Sequence, residues 1–253
     1  LLAGVGTDKF GSEALELWRV EGVDCSQVRQ TAETPTMAGI IILDAEGENR
    51  IITDPGANAR LTTTDVEIFA ATWKSPAILL TQLEIPVETA ARAIAIGKAR
   101  GLMTILNPAP ARALPKEVLA NVDILTPNQS EARILLGLEA DDRQADAEIA
   151  SRLRDLGVGH VVMTRGADGA LIAGPDGMTQ IASYPVDVVD TTGAGDAFNG
   201  ALAAGLASGL SLTEAVRRGT AAGAIAVTKK LVVPALPDGR QIEELMKIGT
   251  ARQ

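Results

Sequence analysis

The chain has 253 residues, 46% apolar and 22% charged, and 23 basic against 32 acidic side chains give it a formal charge of −9. A chain of this size buries roughly three quarters of its unfolded surface, in one or two domains. The acid excess argues against broad binding to DNA or to an anionic membrane, so neither is an expected partner, while a few local donors can still hold a small anion.

Taken in chain order, Thr36–Leu43 and Arg50–Thr53 are β-rich and flank Asp44-Ala45-Glu46-Gly47-Glu48-Asn49, which predicts a hairpin. A hairpin appended to an α/β sheet often covers a site. Ala77–Gln82 predicts a strand, Val87–Arg100 a helix after Pro86, Met103–Leu106 a strand and Lys116–Ala120 a short helix. Val122–Leu125 predicts the next strand, Ser130–Leu136 and Gln144–Leu156 helices, and His160–Thr164 a further strand. Ala170–Ala173 and Thr179–Ser183, split by Gly174-Pro175-Asp176-Gly177, predict an antiparallel pair at a sheet edge. Val186–Val189 predicts a strand running into a Gly-rich turn, and the Ala- and Gly-rich stretches Gly193–Ser208 and Thr213–Thr228 predict closely packed helices. Near-continuous apolar strands alternating with helices predict an α/β fold with a mostly parallel sheet covered on both faces. No repeat or low-complexity tract interrupts it.

Several chemistries are excluded by scarcity. Cys25 is the single cysteine, so there is no intrachain disulfide or Cys-rich zinc site, which fits a reducing, cytoplasmic location. His160 is the single histidine, which excludes an HExxH protease. A Ser-His-Asp hydrolase would need that same His160, inside an apolar run that reads as a buried strand. Apolar runs such as Ala221–Val227 fall far short of the ~18–20 residues of a membrane span, and no signal-peptide pattern is present.

The segment Asp190-Thr191-Thr192-Gly193-Ala194-Gly195-Asp196-Ala197-Phe198-Asn199-Gly200 carries the chemistry. A helix opening on a Gly-rich turn presents unpaired N–H groups and a positive dipole end, and glycines let a bulky anion approach. The amides of Gly193, Ala194 and Gly195 can therefore cradle a phosphoryl group. Asp196 has two readings: a carboxylate that caps the helix, or a base that takes the proton of a substrate hydroxyl during phosphoryl transfer. There is no GxxxxGK[ST], and Phe198 breaks a GxGxxG pattern, so a P-loop NTPase and a standard dinucleotide fold lose weight.

Asp190–Gly200 resembles the C-terminal signature of the ribokinase-like (PfkB) carbohydrate kinases, and four further segments agree in order. Gly4-Val5-Gly6-Thr7-Asp8-Lys9-Phe10-Gly11 resembles a G-x-D-x-F-G stretch. Pro55-Gly56-Ala57-Asn58 resembles the segment after the lid strands. Asn107-Pro108-Ala109-Pro110-Ala111 is similar to a stretch frequent in the ribokinase branch. Thr126-Pro127-Asn128-Gln129-Ser130-Glu131 resembles P-N-x-x-E. Each segment alone has a plainer reading. Asn128 and Glu131, for example, form a capping-box pattern, and Glu84 is a strand-end carboxylate.

The resemblance implies one ribokinase-like domain over residues 1–253, a three-layer αβα sandwich with a mostly parallel sheet and a small β lid drawn from residues 34–58. It implies transfer of the γ-phosphoryl of ATP to a small sugar, ribose foremost. Another kinase of the family, or a non-catalytic binding protein on the same scaffold, is the alternative. Asp196 would be the catalytic base and Gly193, Ala194 and Gly195 the anion hole. Asn128, Thr164 and Gly166 would bind ATP, Glu131 would serve Mg²⁺, and Glu84, with Asp196, would reach the sugar. Asp190 and Thr192 would hold a monovalent cation, potassium, and the lid would pair with its twin in a homodimer. Two departures stand out. Leu231 and Val232 replace a usual Gly-Ala pair in the loop that contacts the cation, which counts against potassium activation. The family's first strand and G-G-x-x-x-N sugar segment would precede Leu1, so weak or no turnover is expected of these residues alone.

Overall fold

The computed structural model describes residues 1–43, 49–73 and 78–250, and the chain divides into two compact units. One comprises Leu1–Pro76 with Gln82–Ile96, and the other Ala77–Thr81 with Gly97–Gln253.

In the first unit, β1 (Gly4–Gly6) and β2 (Arg29–Thr31) pair in parallel, with α1 (Lys9–Val20) between them in sequence. Asp8 caps α1 by accepting from the Gly11 N–H at 2.9 Å. Its carboxylate also accepts from the Thr36 N–H at 2.7 Å and the Thr36 hydroxyl at 2.8 Å. The Gly6 N–H donates to that hydroxyl at 2.9 Å, so Asp8 and Thr36 tie the end of β1 to the start of α1. A side chain on Gly11 would collide with the Gly6 carbonyl. Asn58 Oδ1 accepts from the Gly4 N–H at 2.9 Å, which joins two of the segments that carry the family resemblance.

β3 (Ala38–Leu43) and β4 (Asn49–Asp54) form the expected antiparallel ribbon, with Ile40 opposite Ile52. Its turn, 44–48, lies outside the described residues. α2 (Thr63–Ala71) starts at a capping box between Thr62 and Asp65.

The second unit holds the main sheet. Its elements are β5 (Ile78–Thr81), the end of α3 (Val87–Ala99), β6 (Met103–Leu106), α4 (Lys116–Leu119), β7 (Ile124–Leu125) and α5 (Gln129–Leu135). α6 (Asp146–Asp155), β8 (His160–Thr164), β9 (Ala170–Gly174), β10 (Gly177–Ile181), α7 (Ala194–Ala207), α8 (Leu212–Ala226) and α9 (Gly239–Thr250) follow. Ala77, read from sequence as part of the first of these strands, lies outside the described residues.

The sheet has six strands in the order β10-β9-β8-β7-β6-β5. β5 to β8 run parallel, and the β9–β10 hairpin is antiparallel at the edge, as its sequence predicts. Side chains alternate between two covered faces. Ile105, Ile124, Val162 and Ile172 pack with Phe198, Leu202, Ala215 and Val216 of α7 and α8. The intervening Leu106, Leu125, Val161 and Met163 are buried too, and α5 and α6 pack on β8. Burial on both faces is why these strands read as unbroken apolar runs. His160 on β8 lies against the Gly174 backbone, in a packing role.

One expected strand is absent. Val186–Val189 makes no ladder, and Val188 and Val189 are 63% and 51% exposed. The N–H groups of Val189 and Asp190 instead donate to the Val227 carbonyl just past α8, at 2.7 and 3.2 Å. β-branched composition alone did not supply a strand partner. No helix among the described residues is long and apolar enough to cross a membrane.

Candidate active site

α7 begins at Gly193, which is left-handed at φ 80 and lies so close to Val232 Cγ1 that a side chain there would clash. Gly195 differs: the space its side chain would fill is open. A glycine inside a helix costs about 1 kcal/mol against alanine, and no packing within the protein explains this one. Ala194 and Gly195 line a cavity of about 500 Å³ that Thr164 and Gly166 also line. Tyr184, Val188, Phe198 and Val227 give it apolar walls, with Thr220 among them.

Asp196 lines a second cavity, of about 320 Å³, with Arg218, Leu236 and Ile242. The first turn of α7 thus offers small residues to one cavity and a carboxylate to the other. Among the described residues no donor pairs with the Asp196 carboxylate, and α7 has no side-chain cap. The capping reading of Asp196 therefore finds no support. Although the residue keeps exposed surface, desolvation pushes its carboxyl above the ordinary value of 3.8.

Asn128 and Glu131 make the capping box of α5. Asn128 Oδ1 accepts from the Glu131 N–H, and Glu131 Oε2 accepts from the Asn128 N–H, both at 2.8 Å. Burial raises the Glu131 carboxyl, against the lowering effect of that backbone bond. Neither residue lines either of these two cavities, but the Thr164 N–H donates to the Pro127 carbonyl at 2.9 Å, so the start of α5 adjoins a cavity residue.

Asp190 Oδ1 accepts from the Thr192 N–H at 3.0 Å and its hydroxyl at 2.7 Å. Those bonds, with the Leu231 N–H and nearby Lys230, hold the Asp190 carboxyl below its ordinary value. Leu231 is left-handed at φ 69, as a glycine would be, and is 69% exposed. Its side chain is exposed to solvent, and its backbone takes the turn that a glycine would. Glu84 is exposed in the first unit, after β5.

Tyr184, Phe198, Thr220 and Val227, given no role from the sequence, meet at the cavity only once the chain has folded. Sequence reasoning also missed a buried polar chain from Asn107 and Thr126 to Asn199. Its members stand inside three of the quoted segments, but nothing in the sequence pairs them.

The family described as pfkB family carbohydrate kinase matches residues 1–239. The ribokinase of Haemophilus influenzae is 35% identical over 243 residues, spanning 96% of this chain and 79% of that one. The crystal structure of Thermotoga maritima ribokinase matches with a TM-score of 0.84 at 32% identity, over 97% of this chain and 80% of that one. Arabidopsis thaliana ribokinase, solved in complex with ribose and ATP, matches with a TM-score of 0.86 at 29% identity, over 97% of this chain and 81% of that one. The chain therefore belongs to the pfkB family of carbohydrate kinases. It is similar throughout its length to ribokinases, with their α/β fold and sugar kinase activity.

Proposed function

We propose that this chain transfers the γ-phosphoryl of ATP to the primary hydroxyl of ribose. The observation that carries the reading is the first turn of α7, where Gly195 leaves open space beside the larger cavity and the next residue is an unpaired carboxylate. The choice of ribose and ATP draws support from the ribokinases that the chain resembles, one of them solved with both.

In this reading the nucleotide lies in the apolar cavity against Thr164 and Gly166, with Asn128 toward its phosphates. The amides of Gly193, Ala194 and Gly195 and the end of the helix dipole face the oxygens of the moving phosphoryl group, the Ala194 N–H exchanging for them its 3.3 Å bond to the Thr191 carbonyl. A preorganised donor of this kind is worth ~3–4 kcal/mol in the transition state. Glu84 contacts the sugar. Asp196 orients the hydroxyl and accepts its proton as the O–P bond forms, and a carboxyl with a raised pKa is the stronger base for that step.

The donor set fits Mg²⁺, which keeps several waters and takes one or two carboxylates beside phosphate oxygens. Glu131 supplies one such carboxylate, and no group of three acidic, His or Cys side chains gathers among the described residues. Magnesium supplies neutralisation of phosphate charge. Asp190 and Thr192 are assigned a potassium ion, supported by a carboxylate beside a loop whose left-handed Leu231 keeps its side chain outside.

A second copy of the chain is proposed to cover the β3–β4 ribbon, because Ile40 and Ile52 oppose one another and are 62% and 58% exposed. Light scattering that gives a monomer mass would remove that part. The location is proposed to be cytoplasmic. The reaction is tested with radiolabelled ATP and a panel of ribose, 2-deoxyribose, fructose, ketodeoxygluconate and nucleosides. Labelled ribose phosphate is the expected main product, and a main product from any other acceptor would contradict the reading.

A further inference from the structure

The start of α7 is tied to the sheet by a buried polar chain that the reaction so far leaves without a task. Asn107, Thr126 and Asn199 are 8%, 1% and 3% exposed. Asn107 follows β6, Thr126 follows β7, and Asn199 lies within the second turn of α7. Asn107 Nδ2 donates to the Thr126 carbonyl at 3.0 Å. The Thr126 hydroxyl donates to Asn199 Oδ1 at 2.7 Å. Asn199 Nδ2 then donates to the Gly195 carbonyl at 2.9 Å. The chain therefore ends on the residue whose open side faces the larger cavity.

Stability does not account for this arrangement. Burying polar groups is costly unless each is paired, and an apolar set of the same shape is commonly neutral or better. What hydrogen bonds add is direction, because they weaken steeply off axis. The rest of α7 is mostly Ala and Gly, whose small side chains give the helix few ridges to fix its rotation or its slide along the sheet. The Thr126–Asn199 bond supplies that fixed point, one turn from Asp196.

We propose that Thr126 and Asn199 are positioning residues. Their bond sets the height and rotation of the first turn of α7, so that the Gly195 amide meets the moving phosphoryl group while the Asp196 carboxylate meets the hydroxyl that attacks it. The proposal rests on the phosphoryl-transfer reading above. Neither side chain lines either of the two cavities described above, so both act through Gly195 and Asp196.

The test compares Thr126→Val, which removes the hydroxyl at nearly constant volume, with Thr126→Ser, which keeps it. Affinity is measured for ADP alone and for ADP with aluminium fluoride, a mimic of the moving phosphoryl group, both with Mg²⁺ and ribose. Amide hydrogen exchange is followed in 193–199 and, as a control, in α8. Thr126→Val is expected to weaken the fluoride complex by about tenfold, a misaligned donor costing less than a deleted one, with ADP affinity changed by less than about threefold. Exchange should rise in 193–199 and not in α8, and Thr126→Ser should restore every value. Equal weakening of both complexes, unchanged exchange in 193–199, or a serine variant that behaves as the valine does would each overturn the proposal. A wild-type protein that binds no ADP would overturn the kinase reading, and this inference with it.

Discussion

Leu231 occupies a backbone conformation that suits glycine, and it is the one non-glycine residue with positive φ among the described residues. Such a conformation costs a side-chain-bearing residue roughly 1–2 kcal/mol, and an exposed leucine regains little by packing. Strain of this kind persists where the surroundings demand it. Here the Leu231 N–H serves Asp190, and the following Val232 lies on Gly193 at the head of α7. Leu231→Gly is expected to raise unfolding free energy by about 0.5–1 kcal/mol, since glycine's larger unfolded entropy offsets part of the relief. Leu231→Ala should bring no such gain, and urea unfolding of both variants is the check. Asp196 carries a second cost. Its folded pKa is raised, so its stabilising contribution is present below the unfolded pKa and is lost as pH rises through the folded one. Asp196→Asn should therefore be more stable than the wild type at neutral pH, by thermal melting. The base must be ionised to act, so the acid limb of the pH–rate profile is expected above the range of a free carboxylate.

At the level of elements, the start of α5 separates two roles that one residue pair can hold. Asn128→Ala removes a cap and should cost about 1 kcal/mol. Glu131→Gln keeps an oxygen for the Asn128 N–H, as capping boxes allow, but removes the charge. It is expected to leave the melting temperature nearly unchanged while raising the Mg²⁺ concentration needed for half-maximal activity. An unchanged Mg²⁺ requirement would reduce Glu131 to a cap. The box is legible from its spacing because both partners are local. The same holds for the β9–β10 hairpin, whose turn residues announce it. β1 and β2 are not legible, because three residues each, two of them glycine in β1, show no period. Val186–Val189 misleads for the opposite reason: its composition suits a strand, but the Val189 N–H donates just past the end of α8 instead.

At the scale of the whole molecule, the parallel sheet was readable because burial on both faces leaves unbroken apolar runs. The anion turn was readable because its glycines and carboxylate are contiguous. The chain from Thr126 to Asn199 was not, since it joins residues 73 positions apart and exists only once the sheet and α7 have packed. Asp123 ties the sheet together in another way. Burial would raise its pKa, but bonds from Lys98 and the Thr104 N–H outweigh that and hold it low. A depressed carboxyl gives stability that is present above its unfolded pKa and lost as pH falls through the folded one. Melting temperature should therefore drop below about pH 4, and Asp123→Asn should flatten that drop. The account as a whole turns on the Asp196 carboxylate as the group that receives the acceptor's proton. The direct measurement is turnover and ATP affinity of Asp196→Asn beside the wild type. The account expects kcat to fall by at least ~100-fold with the Kd for ATP within about threefold, and turnover close to wild type would contradict it.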